Sequence, residues 1–245
     1  MVTNNNINHT IWAIIPAAGI GKRMQSSLPK QYISLNGRPV LEHTINSLLE
    51  NKYIAGLMIA LHADDNYFAN LNIQSAKPVL QTVGGNERAD SVLNAINALF
   101  DNAKFDADND WVMVHDAVRA CLRQQDIDKL VTDVAENPNG GLLALPVRDT
   151  MKRQKAGGEE AIVAKTVDRE NLWHALTPQY FPAKVLKEAL ENALDKGLDV
   201  TDESSAMEFA GFSPALVHGN EDNIKITRPD DLRLAGMYLN SRDSE

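Results

Sequence analysis

Along this chain, short runs of consecutive apolar residues alternate with stretches in which apolar residues recur every three or four positions. Runs of the first kind lie at 12–15, 55–61, 78–83, 111–115, 141–146, 215–218 and 223–226. Each is brief and mostly apolar, as a strand covered on both faces should be. Between them, Leu41, Ile45, Leu48 and Leu49 mark one helical stripe. Val92, Ile96 and Leu99 mark a second, and Ile127, Leu130, Val131 and Val134 a third. Pro182 opens a fourth, in which Val185, Leu186, Ala189, Leu190 and Ala193 share a face and Gly197 stands at the C-cap. A last helix starts from Thr227, with Pro229 and Asp230 in a capping-box pattern. Strands alternating with helices predict an α/β protein: a Rossmann-like layered sheet, mostly parallel.

One segment breaks the alternation. Residues 150–155 and 161–167 are two β-like runs joined by a glycine-containing turn, which predicts a hairpin arm at about 148–170. Such an arm leaves strand edges and the side chains of Ile162 and Val163 in water. Burying them against a second copy of the chain is the economical solution, so a homodimer with interlocking arms is expected.

Length and composition narrow the class. A chain of 245 residues with 44% hydrophobic content has the size of one α/β domain. Its net charge of -9 argues against a nucleic-acid coat or an anionic membrane surface as partner. The apolar run before Pro16 spans only about five residues, too short for a signal segment or a membrane span. The single cysteine, Cys121, has no partner for an internal disulfide, so a cytoplasmic protein is expected.

Charge is unevenly placed. No acid precedes Glu42, whereas Lys22, Arg23, Lys30 and Arg38 all lie in that stretch. Three of these cations flank a small-residue turn, Ala17-Ala18-Gly19, that follows the first strand. A strand running into such a turn brings backbone amides close to phosphates while fixed charges neutralise them. The N-terminal end therefore reads as a polyphosphate site. The phosphate loop of nucleotide hydrolases is absent, because Pro16 stands at its first glycine and Arg23 where Ser or Thr is needed. A dinucleotide fingerprint fits poorly, since Met24 replaces the third glycine after Gly19 and Gly21.

Two further loops follow predicted strands. The run 111–115 leads into Asp116, and ligands of open α/β sheets bind beyond the carboxyl ends of strands. Asp116 suits a divalent cation bridging phosphate oxygens, Mg2+ above all; alternatively it caps the next segment or pairs with Arg119. Gly84 to Ser91 opens a helix, with Gly85 and Asn86 free to read a base edge and Ser91 offering a hydroxyl. None of the six histidines has a metal or Ser-His spacing. Cations without an activated nucleophile suit direct transfer between two bound phosphates.

The ordered segments PAAGIGKRM (16–24), PKQY (29–32), GGNERADSV (84–92), VHDAVR (114–119), TVDRENLW (166–173), ALTPQ (175–179), TDESSA (201–206) and DNIKIT (222–227) carry a resemblance. The chain resembles the 2-C-methyl-D-erythritol 4-phosphate cytidylyltransferases of non-mevalonate isoprenoid biosynthesis over residues 12–240. The resemblance implies transfer of a cytidylyl group from CTP to methylerythritol phosphate with loss of pyrophosphate. It implies that Arg23 and Lys30 stabilise the transferring phosphorus and that Ala17, Ala18, Gly19, Gly85, Asn86 and Ser91 hold CTP. Asp116 then carries the metal, and Arg169 and Lys225 position the acceptor, with Thr150 and Thr201 nearby. In this family the hairpin with Thr150 and Arg169 comes from the neighbouring subunit. The chain departs from the pattern at Val118 and Ala120, where Ala and Pro are usual, and at Asn86, where Asp is common. A ribitol-phosphate cytidylyltransferase and a nucleotide-binding regulator without turnover are the competing readings.

Overall fold

The computed structural model describes residues 7, 9–19, 28–135, 137–157 and 160–242. Its central sheet has seven strands in the order β11-β7-β10-β6-β1-β4-β5. These are β1 (Ile11–Ala17), β4 (Ile54–Leu61), β5 (Val79–Val83), β6 (Trp111–Val114), β7 (Gly141–Pro146), β10 (Trp173–Pro182) and β11 (Ala215–His218). All pairings are parallel except those of β10, which runs antiparallel to both β6 and β7. The expected layered, mostly parallel α/β sheet is therefore present. The short strands β2 (Ser34–Leu35) and β3 (Arg38–Pro39) form a separate pair.

Alternation along β1 divides the core into two layers. Ile11, Ala13, Ile15 and Ala17 pack with Leu41, Ile45 and Leu48 of α1 (Val40–Glu50) and with the apolar stripe of α3 (Gln124–Val134). Trp12 and Ile14 point the other way, onto Val92, Ile96 and Leu99 of α2 (Arg88–Phe100) and Leu186 and Leu190 of α4 (Ala183–Asp195). Ile14, Ile96 and Leu190 are fully buried. Each such side chain contributes roughly 1.5–3 kcal/mol relative to exposure, so the sheet holds the loops at its edges in a fixed frame. Gly197 has φ of +64° beyond α4, as the C-cap reading requires.

Several elements differ from the sequence expectation. Residues 223–226 are an extended loop and not a strand: Ile224 and Ile226 pack inward, but Ile226 N–H donates to the Val118 carbonyl and to no ladder. Strand β10 and the seven-residue α5 (Glu203–Phe209) were not anticipated from periodicity. Helix α6 (Pro229–Arg242) does start after Thr227, but Asp231, one residue past Asp230, reaches back to the Thr227 and Arg228 amides at 2.8 Å.

The arm is present as β8 (Met151–Gln154) paired antiparallel with β9 (Val163–Val167), separate from the main sheet. Ile162 and Val163 are about half exposed, at 48% and 53%. Among the described residues, no helix is long and apolar enough to cross a membrane.

Candidate active site

Strands β1, β4, β5 and β6 all run in one direction, so the loops after β1, β5 and β6 leave the same edge of the sheet. A cavity of about 250 Å³ lies there, lined by Ala17, Ala18, Gly19, Lys30, Gly85, Asn86, Glu87, Arg88, Ser91, Asp116 and Lys225 among others. Four sequence blocks far apart in the chain thus meet in one pocket.

Close packing of the β1 and β5 loops explains their small residues. A Cβ on Gly84 would sit 2.5 Å from the Ala18 methyl, and one on Gly85 would sit 2.2 Å from the Asp90 Cβ. Neither position accepts a side chain without moving the loop. Ser91 closes this turn: its hydroxyl accepts from Gly85 N–H at 3.0 Å and donates to the Glu87 carbonyl at 3.1 Å. The hydroxyl expected beside a base edge thus also shapes the turn. On the other wall, the Gln31 amide donates to the Ala17 carbonyl at 2.8 Å and fixes the segment that carries Lys30.

Asp116 is the electrostatic centre. It is 5% exposed and stands among three cations. Arg88 Nε donates to Oδ1 at 3.2 Å, Arg119 Nε to Oδ2 at 3.2 Å, and Lys225 Nζ lies 3.0 Å from Oδ2. Burial alone would raise its pKa; Arg88, Lys225 and Arg119 together outweigh that and hold the carboxyl far below the usual carboxylate range. The group stays anionic. The pairing with Arg119 considered from sequence is present, together with two other partners.

Arg88 and Glu203 were not singled out from sequence. Arg88, the first residue of α2, donates through Nη1 and Nη2 to the two Glu203 oxygens at 2.6 and 3.0 Å. Glu203 is 1% exposed at the start of α5. Burial pushes its pKa up, and the guanidinium opposes that. Arg88 therefore bridges a buried carboxylate and Asp116. In sequence, each reads as an ordinary charged residue in a helix's first turn, and nothing but burial reveals the link.

The backbone of Asp116 is fixed from beneath. Asp116 N–H donates to Thr177 Oγ1 at 3.1 Å, and that hydroxyl in turn donates to His115 Nδ1 at 2.9 Å. His115 Nε2 faces the Arg119 carbonyl at 3.1 Å, and a carbonyl only accepts, so Nε2 carries the proton. Desolvation lowers the pKa of this wholly buried ring to about 4, so it is neutral at pH 7. Thr177 reaches Asp116 because β10 runs antiparallel and pairs Gln179 with Val114.

Loss of the usual proline after Arg119 does not free that residue. Its Nη1 donates to the Asn223 carbonyl at 2.7 Å, while Val118 and Ala120 are buried beside Ile226 and Ala235. Lys225 sits in the loop that returns from β11, and its side chain is 40% exposed. Cys121 is buried with its thiol pushed up to about 11 by desolvation, which makes it a poor nucleophile.

Of the remaining sequence candidates, three lie away from the cavity and one cannot be placed. Arg23 is outside the described residues. Thr150, Arg169 and Thr201 are exposed and do not line the cavity. Arg169 hydrogen-bonds the Arg148 carbonyl at the foot of the arm, and Thr201 N–H donates to Ser205 Oγ at 3.2 Å. No group of three or more His, Cys, Asp or Glu side chains among the described residues is placed to hold a metal ion.

A small-residue loop and a permanently charged carboxylate ringed by cations, at the carboxyl edge of a parallel sheet, belong to a nucleotidyltransferase of the α/β class. Residues 11–241 match the family model described as 2-C-methyl-D-erythritol 4-phosphate cytidylyltransferase. The chain is 51% identical over 233 residues to the protein of that name from Alteromonas mediterranea, covering 95% of this chain and 94% of the relative. It is 48% identical to the one from Vibrio atlanticus, covering 94% and 95%. The crystal structure of the Francisella tularensis 2-C-methyl-D-erythritol 4-phosphate cytidylyltransferase superposes with a TM-score of 0.79 at 35% identity, covering 94% of this chain and 100% of that one. The chain therefore belongs to the 2-C-methyl-D-erythritol 4-phosphate cytidylyltransferase family and is an enzyme.

Proposed function

We propose that this enzyme transfers the cytidylyl group of CTP to 2-C-methyl-D-erythritol 4-phosphate in isoprenoid biosynthesis. The observation that carries the reading is the convergence of the Ala17-Ala18-Gly19 loop, Lys30, Asp116 and Lys225 on one cavity. An oxygen of the acceptor phosphate forms a bond to the α-phosphorus while the bond from that phosphorus to the bridging α–β oxygen breaks. Pyrophosphate leaves with the electron pair, giving 4-diphosphocytidyl-2-C-methyl-D-erythritol.

In this scheme Ala17, Ala18 and Gly19 present amides to the triphosphate. Gly85, Asn86 and Ser91 form the cytosine side, with Ser91 acting through the shape of the turn. Lys30 and Arg23 neutralise charge that develops on the α-phosphoryl oxygens; one donor of this kind is worth about 3–4 kcal/mol. Lys225 takes the acceptor phosphate. Asp116 is the carboxylate that would hold Mg2+ or another divalent cation, an ion that supplies charge neutralisation to phosphate oxygens when bound. Its fixed negative charge suits that ion, and the exposed Lys225 is the partner best able to move aside.

Thr150 and Arg169 would act across a homodimer. Support comes from the arm's separation from the main sheet and from its exposed Ile162 and Val163. Thr201 belongs to the same acceptor side. A single nucleotidyltransferase domain with one arm, working in the cytoplasm, is consistent with one seven-stranded central sheet and one buried cysteine.

The test is pyrophosphate release from CTP with methylerythritol phosphate and ribitol phosphate supplied separately. Release at least tenfold faster with the first acceptor is expected, that being roughly the discrimination available to a few acceptor contacts. Faster release with ribitol phosphate would overturn the acceptor, and no release with either would overturn the transfer.

A further inference from the structure

The loop at 219–227 has no regular secondary structure, yet it must deliver Lys225 to Asp116. Side chains at its far end hold it. Asn220 donates from N–H and Nδ2 to Asp126 Oδ1 at 3.2 and 2.8 Å. Asp222 is 5% exposed and receives Arg123 through Nε at 2.8 Å and Nη2 at 2.7 Å.

The same Asp222 oxygen is 2.6 Å from Nη2 of Arg242, in the last turn of α6. That nitrogen also donates to the Cys121 carbonyl at 2.5 Å, and Nη1 to the Leu122 carbonyl at 3.4 Å. Residues 121 and 122 continue the segment that carries Asp116 and Arg119. One guanidinium on the C-terminal helix thus clips together the two loops that supply Asp116 and Lys225. It does not line the cavity, and its hydrogen bonds go to Asp222 and to the carbonyls of residues 121 and 122.

We propose that Arg242 and Asp222 are positioning residues that set the placement of Lys225 and so govern affinity for the acceptor phosphate. The inference rests on the reading of Lys225 as the acceptor-phosphate group. A clip with a purely stabilising role would lower the melting temperature and leave the kinetic constants alone. A positioning clip splits them: the acceptor Michaelis constant rises while that for CTP stays, because CTP is held by the β1 and β5 loops and by Asp116, whose backbone Thr177 fixes independently of the clip. Small displacements of a positioned charge cost on the order of tenfold or more.

The experiment compares Arg242→Gln, Asp222→Asn, the double variant, Arg242→Lys and Lys225→Ala in steady-state kinetics with each substrate varied, well below each variant's melting temperature. The expected result is a rise of about tenfold in the acceptor Michaelis constant for each Gln or Asn variant, with that for CTP within about twofold. The double variant should lose less than the two single effects added together, since the Asp222–Arg242 contact is shared while Arg123 and the 121 and 122 carbonyls belong to one partner each, and Arg242→Lys should recover part of the loss. Should Arg242→Gln not fold, the isosteric Asp222→Asn and the conservative Arg242→Lys carry the comparison. Unchanged constants in folded variants, or equal losses toward both substrates, would overturn the inference while Lys225→Ala still raised the acceptor constant. An unchanged acceptor constant in Lys225→Ala would instead overturn the reading beneath it.

Discussion

Glu203 and Asp116 share one guanidinium: Arg88 gives both terminal nitrogens to Glu203, at 2.6 and 3.0 Å, and its Nε to Asp116 at 3.2 Å. A wholly buried glutamate from α5 therefore orients the cation that faces the pocket carboxylate. Arg88 also lines the cavity, so its placement bears on the nucleotide as well as on the fold.

Replacing Glu203 with Gln removes the charge and leaves Arg88 half paired. Breaking one partner of a buried pair costs about 3 kcal/mol or somewhat more. Urea unfolding should show that loss, and CTP binding measured calorimetrically should weaken. Full stability with unchanged CTP binding would remove Glu203 from the site.

Lys30→Ala should lower turnover by about a hundredfold or more, because the charge it meets grows in the transition state. The dissociation constant for CTP should change far less. Equal losses in both would assign Lys30 to ground-state binding only.

His115 sets a pH dependence of stability. Burial holds its folded pKa at about 4, below the ordinary histidine value of 6.5, so the unfolded chain binds the extra proton between those values. Stability is therefore complete above pH 6.5 and falls as pH drops toward 4, by about 3 kcal/mol for a shift of this size. His115→Gln keeps a donor toward the Arg119 carbonyl and lacks that titration. The difference in unfolding free energy between the two proteins should narrow as pH falls through this window. A difference independent of pH would contradict a buried neutral ring.

If the arm exchanges between subunits, Ile162→Ser with Val163→Ser should weaken the dimer in sedimentation. Mixing Arg23→Ala chains with Arg169→Ala chains should also restore part of the activity lost in each. Verified heterodimers without any recovery would place Arg169 in its own chain's site or in none.

Strands and helices with a strong apolar signal were legible in the sequence, down to the Gly197 cap. Strand β10 was not, because the polar residues Thr177 and Gln179 interrupt it. Both are buried; Thr177 accepts from the Asp116 amide of the β6 loop and Gln179 from the Ser204 amide in the first turn of α5, in place of apolar contacts. The run 223–226 misled for the opposite reason: Ile224 and Ile226 alternate like strand residues but bury themselves against α6 and the Val118 loop. At the site, the small-residue turns and Asp116 were legible because backbone access and a strand-end acid leave marks in the sequence. Arg88 with Glu203 and Arg242 with Asp222 left none, since a charged residue bound for burial looks like any solvated one until its partner, over 100 positions away for the first pair, is folded against it.

The central claim is that Lys30 and Asp116 bracket the phosphates of a cytidine triphosphate beside the Ala17-Ala18-Gly19 loop. A crystal structure with CTP and Mg2+ tests it most directly. The account predicts the cytosine against Gly85 and Asn86, Lys30 Nζ in hydrogen-bond contact with an α-phosphate oxygen, and the cation on Asp116. Phosphates lying outside this cavity, with Lys30 turned toward bulk water, would contradict it.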